Sequence, residues 1–205
     1  MEIQNVSTLA DESQTNLIGF NFCIDQFAQL LNSSVITNVA AEIIVLEQGM
    51  FAIVELLREC RERDGSVFVI GNGGSAAIAS HVVIDLVNMA KMRATSMLDP
   101  AVTTCISNDY GYEQVYAMQV QRFARKGDVV IAISSSGRSK NILNAIEAAR
   151  VADAQVITLS GFAEDNLLRQ CGDYNLWLDS KDYGQVEIGH AFALHYVTDR
   201  LKVYS

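Results

Sequence analysis

Val67-Phe68-Val69-Ile70-Gly71-Asn72-Gly73-Gly74-Ser75-Ala76-Ala77 is the stretch that decides the fold. Four apolar residues make a short strand, the glycines turn the chain, and a helix-like run follows. The same grammar returns at Val129-Val130-Ile131-Ala132-Ile133, followed by Ser134-Ser135-Ser136-Gly137-Arg138-Ser139. A strand-to-helix loop of this composition brings backbone N–H groups and hydroxyls to a helix N-terminus, where the macrodipole favours negative charge. Two such loops in one small protein point to a site that holds an anionic group, above all a phosphate, at two points.

Working outward, short apolar runs at 67–70, 95–98, 129–134, 156–160 and 174–178 alternate with helical patterns at 75–90, 112–125, 139–151, 164–170 and 186–203. Alternation of this kind predicts an α/β fold with a parallel sheet covered by helices on both faces. Upstream, Phe27, Leu30 and Leu31, then Ile43, Ile44, Leu46, Phe51, Val54 and Leu57, recur at three- and four-residue steps. That spacing predicts helices from Phe22 to about Glu62, split at Asn32-Ser33-Ser34. Residues 1 to about 20 are polar and read as a loose arm or short helix. Pro100, the only proline, falls in a turn after Asp99. With no repeat or linker, the expectation is a single domain over 1–205: arm and helices to 62, αβα core from 63.

Composition narrows the function classes. The chain has 205 residues, half of them apolar, enough for a sizeable core, and no continuous apolar run spans a bilayer. Its N-terminal stretch carries Glu2, Asp11 and Glu12 where a secretory signal would be basic. Cys23, Cys60, Cys105 and Cys171 are scattered, the pattern of a reduced, cytoplasmic protein. A formal charge of -9 argues against nucleic-acid binding, which relies on basic stripes. It does not prevent a local cluster of N–H and O–H dipoles from binding one phosphate.

Titratable candidates are few. The histidines are His81, His190 and His195. His81 and Asp85, four apart on the helix after the glycine loop, share a face. Glu187, His190 and His195 lie on one predicted helix. At about 100° per residue, His190 and His195 point roughly 140° apart, whereas Glu187 lies about 80° from His195. His190 is left open between a structural and a substrate-contacting role, and Tyr110 and Tyr112 read as packing residues.

Gly71-Asn72-Gly73-Gly74-Ser75-Ala76-Ala77, then His81, then Ser107-Asn108-Asp109-Tyr110-Gly111, then Ser134-Ser135-Ser136-Gly137 with Ser139, resemble the sugar isomerase (SIS) domain. Their order and spacing are most similar to the phosphoheptose isomerases, and the resemblance runs from about residue 40 to the C-terminus. It implies a three-layer αβα sandwich with a five-stranded parallel sheet and an N-terminal helical extension. It also implies a homotetramer with active sites at subunit interfaces, a phosphorylated sugar as substrate, and no organic cofactor. The implied reaction interconverts a ketose phosphate and an aldose phosphate, D-sedoheptulose 7-phosphate and D-glycero-D-manno-heptose 7-phosphate.

By the same resemblance, Ser134, Ser135, Ser136 and Ser139 hold the phosphate. Asn72, Gly73, Gly74, Ser75, Asn108, Asp109 and Glu187 contact the sugar. Asp85 falls on the family's base and His195 on its acid. Some members bind zinc at the positions of His81, Asp85, Glu187 and His195, here two imidazoles and two carboxylates. The chain departs from the pattern at Asp85, one methylene shorter than the family's glutamate, at Ile78, which replaces an aspartate, and at Arg138, which replaces an asparagine. Glu187 stands where the family has glutamine. The alternatives are a non-catalytic SIS-domain binding protein, sensing a phosphosugar or partnering a replication-initiation factor, and an isomerase for another sugar phosphate.

Overall fold

A computed structural model describes residues 19–203; the expected arm over residues 1–18 lies outside them. The chain runs α1 (Phe20–Asn32), β1 (Val35–Asn38), β2 (Ile43–Ile44), α2 (Leu46–Glu62), β3 (Ser66–Gly71), α3 (Gly74–Asn88), β4 (Arg93–Thr95) and α4 (Pro100–Tyr110). A 3-10 turn at Tyr112–Gln114 leads into α5 (Ala117–Phe123), β5 (Val129–Ser134), α6 (Lys140–Val151) and β6 (Gln155–Ser160). A second 3-10 turn at Leu167–Gln170, β7 (Tyr174–Trp177) and α7 (Tyr183–Val203) complete it.

The sheet has seven strands in the order β2-β1-β7-β6-β5-β3-β4. The five from β3 to β7 are parallel, as expected. β1 and β2 extend that sheet antiparallel beside β7, Ile36 opposite Leu176 and Ile44. The helical reading of Ile43 and Ile44 is therefore corrected. Val35-Ile36-Thr37 and Ile43-Ile44 are β-branched runs around an Asn38 turn, and strand pairing suits them better than a helix. Asn38 Oδ1 accepts from the Ala40 and Glu42 backbone N–H groups at 3.0 Å and closes that turn.

Alternation along the strands builds the layers. Val67, Val69, Val129, Ile131, Ile133, Ile157 and Leu159 face α2, α3 and α7, whose inner sides supply Ile53, Leu57, Val82, Leu86, Leu194 and Val197. Phe68, Ile70, Val130, Ala132 and Val156 face α4, α5 and α6. The second set packs on Ile106, Val120, Ile142 and Ile146. Pro100 is the first residue of α4 rather than part of a simple turn. Asp99 caps that helix by accepting from the Val102 N–H at 2.9 Å, and Pro at this position gives up an N–H that would lack a partner anyway.

The strand order reverses direction between β3 and β5. The crevice outside the carboxyl ends of two such strands is where open α/β sheets receive ligands. Both loops singled out in the sequence leave the sheet there.

Candidate active site

Gly71 ends β3 with the Ser75 backbone so close that a Cβ would meet its carbonyl carbon at 2.6 Å. Tyr116, whose phenol burial pushes up to about 12, donates to the Gly71 carbonyl. Gly73, at φ +54°, has the left-handed backbone that brings the chain sharply into α3. A Cβ on Gly74 would strike the carboxylate of Glu187, so that acid rests against the first turn of α3. A carboxylate is favoured at this end of a helix.

The second loop faces the first. Ser134 and Ser135 are buried, and the Ser134 hydroxyl donates to that of Ser139 at 3.3 Å. The Ser135 hydroxyl is buried with no hydrogen-bond partner. Asn72, Ser75, Ser134, Ser135, Ser136, Ser139, Tyr183 and Glu187 enclose a cavity of about 140 Å³. Seven of these eight were legible in the sequence; Tyr183, held edge-on against Phe162, was not. Arg138 does not line the cavity: its guanidinium pairs with Asp165 at 3.2 Å.

Asn72 is tied down by two residues that sequence reasoning missed or set aside. Its amide pairs reciprocally with that of Asn141, at 2.9 and 2.8 Å, and its Oδ1 accepts from the Tyr112 hydroxyl at 2.9 Å. A contact between positions 69 apart in sequence has no local signature. Asn108 and Asp109, by contrast, sit exposed on the last turn of α4, Asn108 donating to Asp109 at 2.8 Å, and do not reach this cavity.

A second cluster lies farther along the same helices. α3 and α7 run parallel, since Gly74 meets Glu187 and Asp85 meets His195. Asp85 Oδ2 is 3.2 Å from His195 Nδ1 and 3.7 Å from His81 Nε2, and the two imidazoles pack edge to face with centroids 4.9 Å apart. The Asp85 side chain is 14% exposed, its Oδ2 buried without a hydrogen-bond partner, while His81 and His195 are about half exposed. Ala77, Ile78, Val82 and Ala191 complete the walls around His81 and His195.

The expected four-ligand set is divided. The ligand atoms of His81, Asp85 and His195 lie within 4.8 Å of one another. Glu187, eight residues before His195, is about 12 Å back along α7 and belongs to the serine cavity. His190 is fully buried on the other side of α7, where its Nε2–H donates to the Ser160 carbonyl at 3.0 Å; burial lowers it to about 4, so the ring is neutral. It is structural.

A buried carboxylate oxygen without a hydrogen-bond partner, flanked by two imidazoles, is a chemically apt seat for a zinc ion. Two nitrogens and one oxygen, with a fourth position left to solvent or substrate, match catalytic zinc sites.

Residues 33–161 match the SIS domain family. The chain belongs to it. The chain is 35% identical to the phosphoheptose isomerase of Geotalea daltonii over 163 residues, covering 77% of this chain and 84% of that one. To the phosphoheptose isomerase of Helicobacter pylori it is 34% identical over 160 residues, 75% and 83% of the two chains. Among solved structures, the phosphoheptose isomerase of Neisseria gonorrhoeae superposes with a TM-score of 0.78 at 26% identity, over 93% of this chain and 99% of the other. Among the described residues of this SIS protein, no helix is long and apolar enough to cross a membrane.

Proposed function

We propose that this SIS protein is a phosphoheptose isomerase, converting D-sedoheptulose 7-phosphate to D-glycero-D-manno-heptose 7-phosphate. One observation carries the reading: α3 and α7 together wall a hydroxyl-lined anion cavity, through Ser75 and Glu187, and farther along the same two helices carry an imidazole–carboxylate cluster. From Ser75 to His81 is about 9 Å along the helix, and to Asp85 about 15 Å. A seven-carbon chain of about 1.5 Å bonds extends about 7–8 Å from C1 to C7, and its phosphate adds 2–3 Å more. A phosphate among Ser134, Ser135, Ser136 and Ser139 thus carries C1 and C2 to the level of His81, whose Nε2 is 3.7 Å from Asp85 Oδ2, whereas a triose would stop short.

The reaction moves one proton between adjacent carbons. Asp85 takes a proton from C1 while His195 protonates the C2 carbonyl oxygen, giving an enediol. Asp85 then returns a proton to C2 as the O1 proton leaves to His195, and the aldehyde forms at C1. Asn72, Gly73, Gly74, Ser75 and Glu187 hold the sugar chain between the two ends. Zinc would be held by His81, Asp85 and His195. When bound, it supplies polarisation of a sugar oxygen. A carboxylate has two oxygens, so Asp85 can hold a metal through Oδ2 and still offer Oδ1 to a proton.

The whole chain is assigned to one SIS domain, 1–205, acting in the cytoplasm as a homotetramer. Four free cysteines among the described residues support a reducing compartment. Exposed Ile84 and Val87 on α3, and Ile188 and Phe192 on α7, support a partner subunit against these two helices. Asn108 and Asp109, exposed here, are assigned to sugar contact in that assembly.

The test is turnover of sedoheptulose 7-phosphate by purified, metal-analysed protein and by His195→Ala. The wild type should convert it and the variant should lose about 100- to 10,000-fold with an unchanged circular dichroism spectrum. Equal rates overturn the role of His195. An inert wild type that turns over another ketose phosphate overturns the substrate.

A further inference from the structure

Glu187 is the one charged side chain in the wall of the serine cavity. The Ser135 hydroxyl in the same wall is buried and has no hydrogen-bond partner among the described residues. A phosphate held there meets hydroxyls, the N-terminus of α6 and a like charge, but no cation in the wall itself. Two cations flank Ser139: Lys140, the exposed first residue of α6, and Arg138, which stands between the wall residues Ser136 and Ser139. The Arg138 backbone N–H donates to the Ser136 hydroxyl at 3.4 Å, so its backbone abuts the wall. An extended arginine carries its guanidinium about 6 Å from Cα, enough to swing across a cavity bordered by its own neighbours.

Around Arg138 the backbone is fixed and the side chain is not. The Leu168 N–H donates to the Gly137 carbonyl at 3.0 Å, and a Cβ on Gly137 would strike the fully buried Asn166. The guanidinium, by contrast, is held by Asp165 Oδ1 at 3.2 Å, with the two side chains 55% and 82% exposed. An ion pair so open to water is weak. A phosphate offers the planar guanidinium two oxygens at once, the stronger arrangement. We propose that Arg138 is a specificity-determining contact for a phosphate group: its guanidinium leaves Asp165 and closes on a phosphate held by the serine loop. The exchange needs only rotation about side-chain bonds, and it supplies the cation that the wall lacks. It stands where the SIS pattern has an asparagine, so it is a property of this chain. This inference rests on the isomerase reading only in taking the serine cavity as the phosphate end.

A double-mutant cycle with inorganic phosphate as the probe tests it, the Kd being measured by calorimetry. Arg138→Gln should weaken binding about tenfold. Asp165→Asn frees the guanidinium and should tighten binding about two- to fivefold. Added to Arg138→Gln, the same Asp165→Asn should change nothing. Both side chains are exposed, so thermal midpoints should stay within about 2 °C of the wild type. Either single variant at wild-type affinity overturns the proposal. So does an Asp165→Asn gain that persists without Arg138, since Asp165 would then act only as a distant repelling charge. A wild type that binds no inorganic phosphate overturns it as well.

Turnover decides the isomerase reading separately. A wild type that shows this phosphate-binding pattern but leaves sedoheptulose 7-phosphate unconverted ends that reading and keeps Arg138 as a phosphate contact. In an active enzyme, Arg138→Gln should raise KM for sedoheptulose 7-phosphate about tenfold with kcat nearly unchanged, because the phosphate is held alike in ground and transition states. A loss confined to kcat overturns the contact.

Discussion

His190→Gln separates burial of a neutral imidazole from the rest of the fold's pH dependence. His190 is fully buried in α7 and donates through Nε2 to the Ser160 carbonyl, at the end of β6. Desolvation drives it from 6.5 in the unfolded chain to about 4 in the folded one. The sign follows from linkage: below pH 6.5 the unfolded chain binds a proton that the folded chain refuses. Stability from this group is therefore whole above pH 6.5 and is lost as the pH falls toward 4. Each pH unit in that window removes about 1.4 kcal/mol, some 3 kcal/mol in all and about 2 kcal/mol between pH 8 and pH 5. Glutamine keeps an amide N–H near the Nε2 position and does not titrate. Urea unfolding at pH 8, 6 and 5 should show the wild type losing about 2 kcal/mol more than His190→Gln over that span. The half-exposed His81 and His195 are present in both proteins, so the comparison isolates His190. Parallel pH profiles would refute the argument that His190 is buried neutral. The group also matters to the site, because the next residue along, Gly161, donates its N–H to the Ser135 carbonyl at 3.0 Å.

Two further outcomes are expected. Ser135→Ala deletes a buried hydroxyl that has no partner in the ligand-free chain. It should raise unfolding stability by about 1 kcal/mol while weakening sugar phosphate affinity several-fold by calorimetry; lowered stability would show that the hydroxyl already has a partner. For the metal site, zinc at a hundredfold its Kd should stabilise stripped protein by about 2.7 kcal/mol, a rise of about 5–10 °C in thermal midpoint. An undiminished shift in a His81→Ala, His195→Ala double variant would place the zinc elsewhere.

Where sequence reasoning succeeded, the information was local. The parallel strands, the two loops and the shared face of His81 and Asp85 all depend on residues a few positions apart. Ile43 and Ile44 misled because their spacing fits a helix, while the partner that makes them a strand, β1, pairs with β7 from the far end of the chain. α4 was missed although Asp99 before Pro100 is a start signal, because only Ile106 of its residues is buried and its apolar period is faint.

The metal cluster shows a different limit. Comparing directions around α7 put Glu187 near His195 in angle but ignored the rise along the axis. Angle alone is a projection: two groups on one helix serve one point only if both angle and height agree. Eight residues separate Glu187 from His195 by about 12 Å of backbone rise, and the Glu187 carboxylate lies against Gly74 while the ligand atoms of His81, Asp85 and His195 gather farther along. Asp85 is held low between two imidazoles, where a proton or a cation can be exchanged. Glu187 is held high against the first turn of α3, where the helix end favours its charge. In the isomerase proposed above, the distance that separates the two carboxylates is what would give a long phosphosugar room to lie between the serine loop and the Asp85–His195 pair.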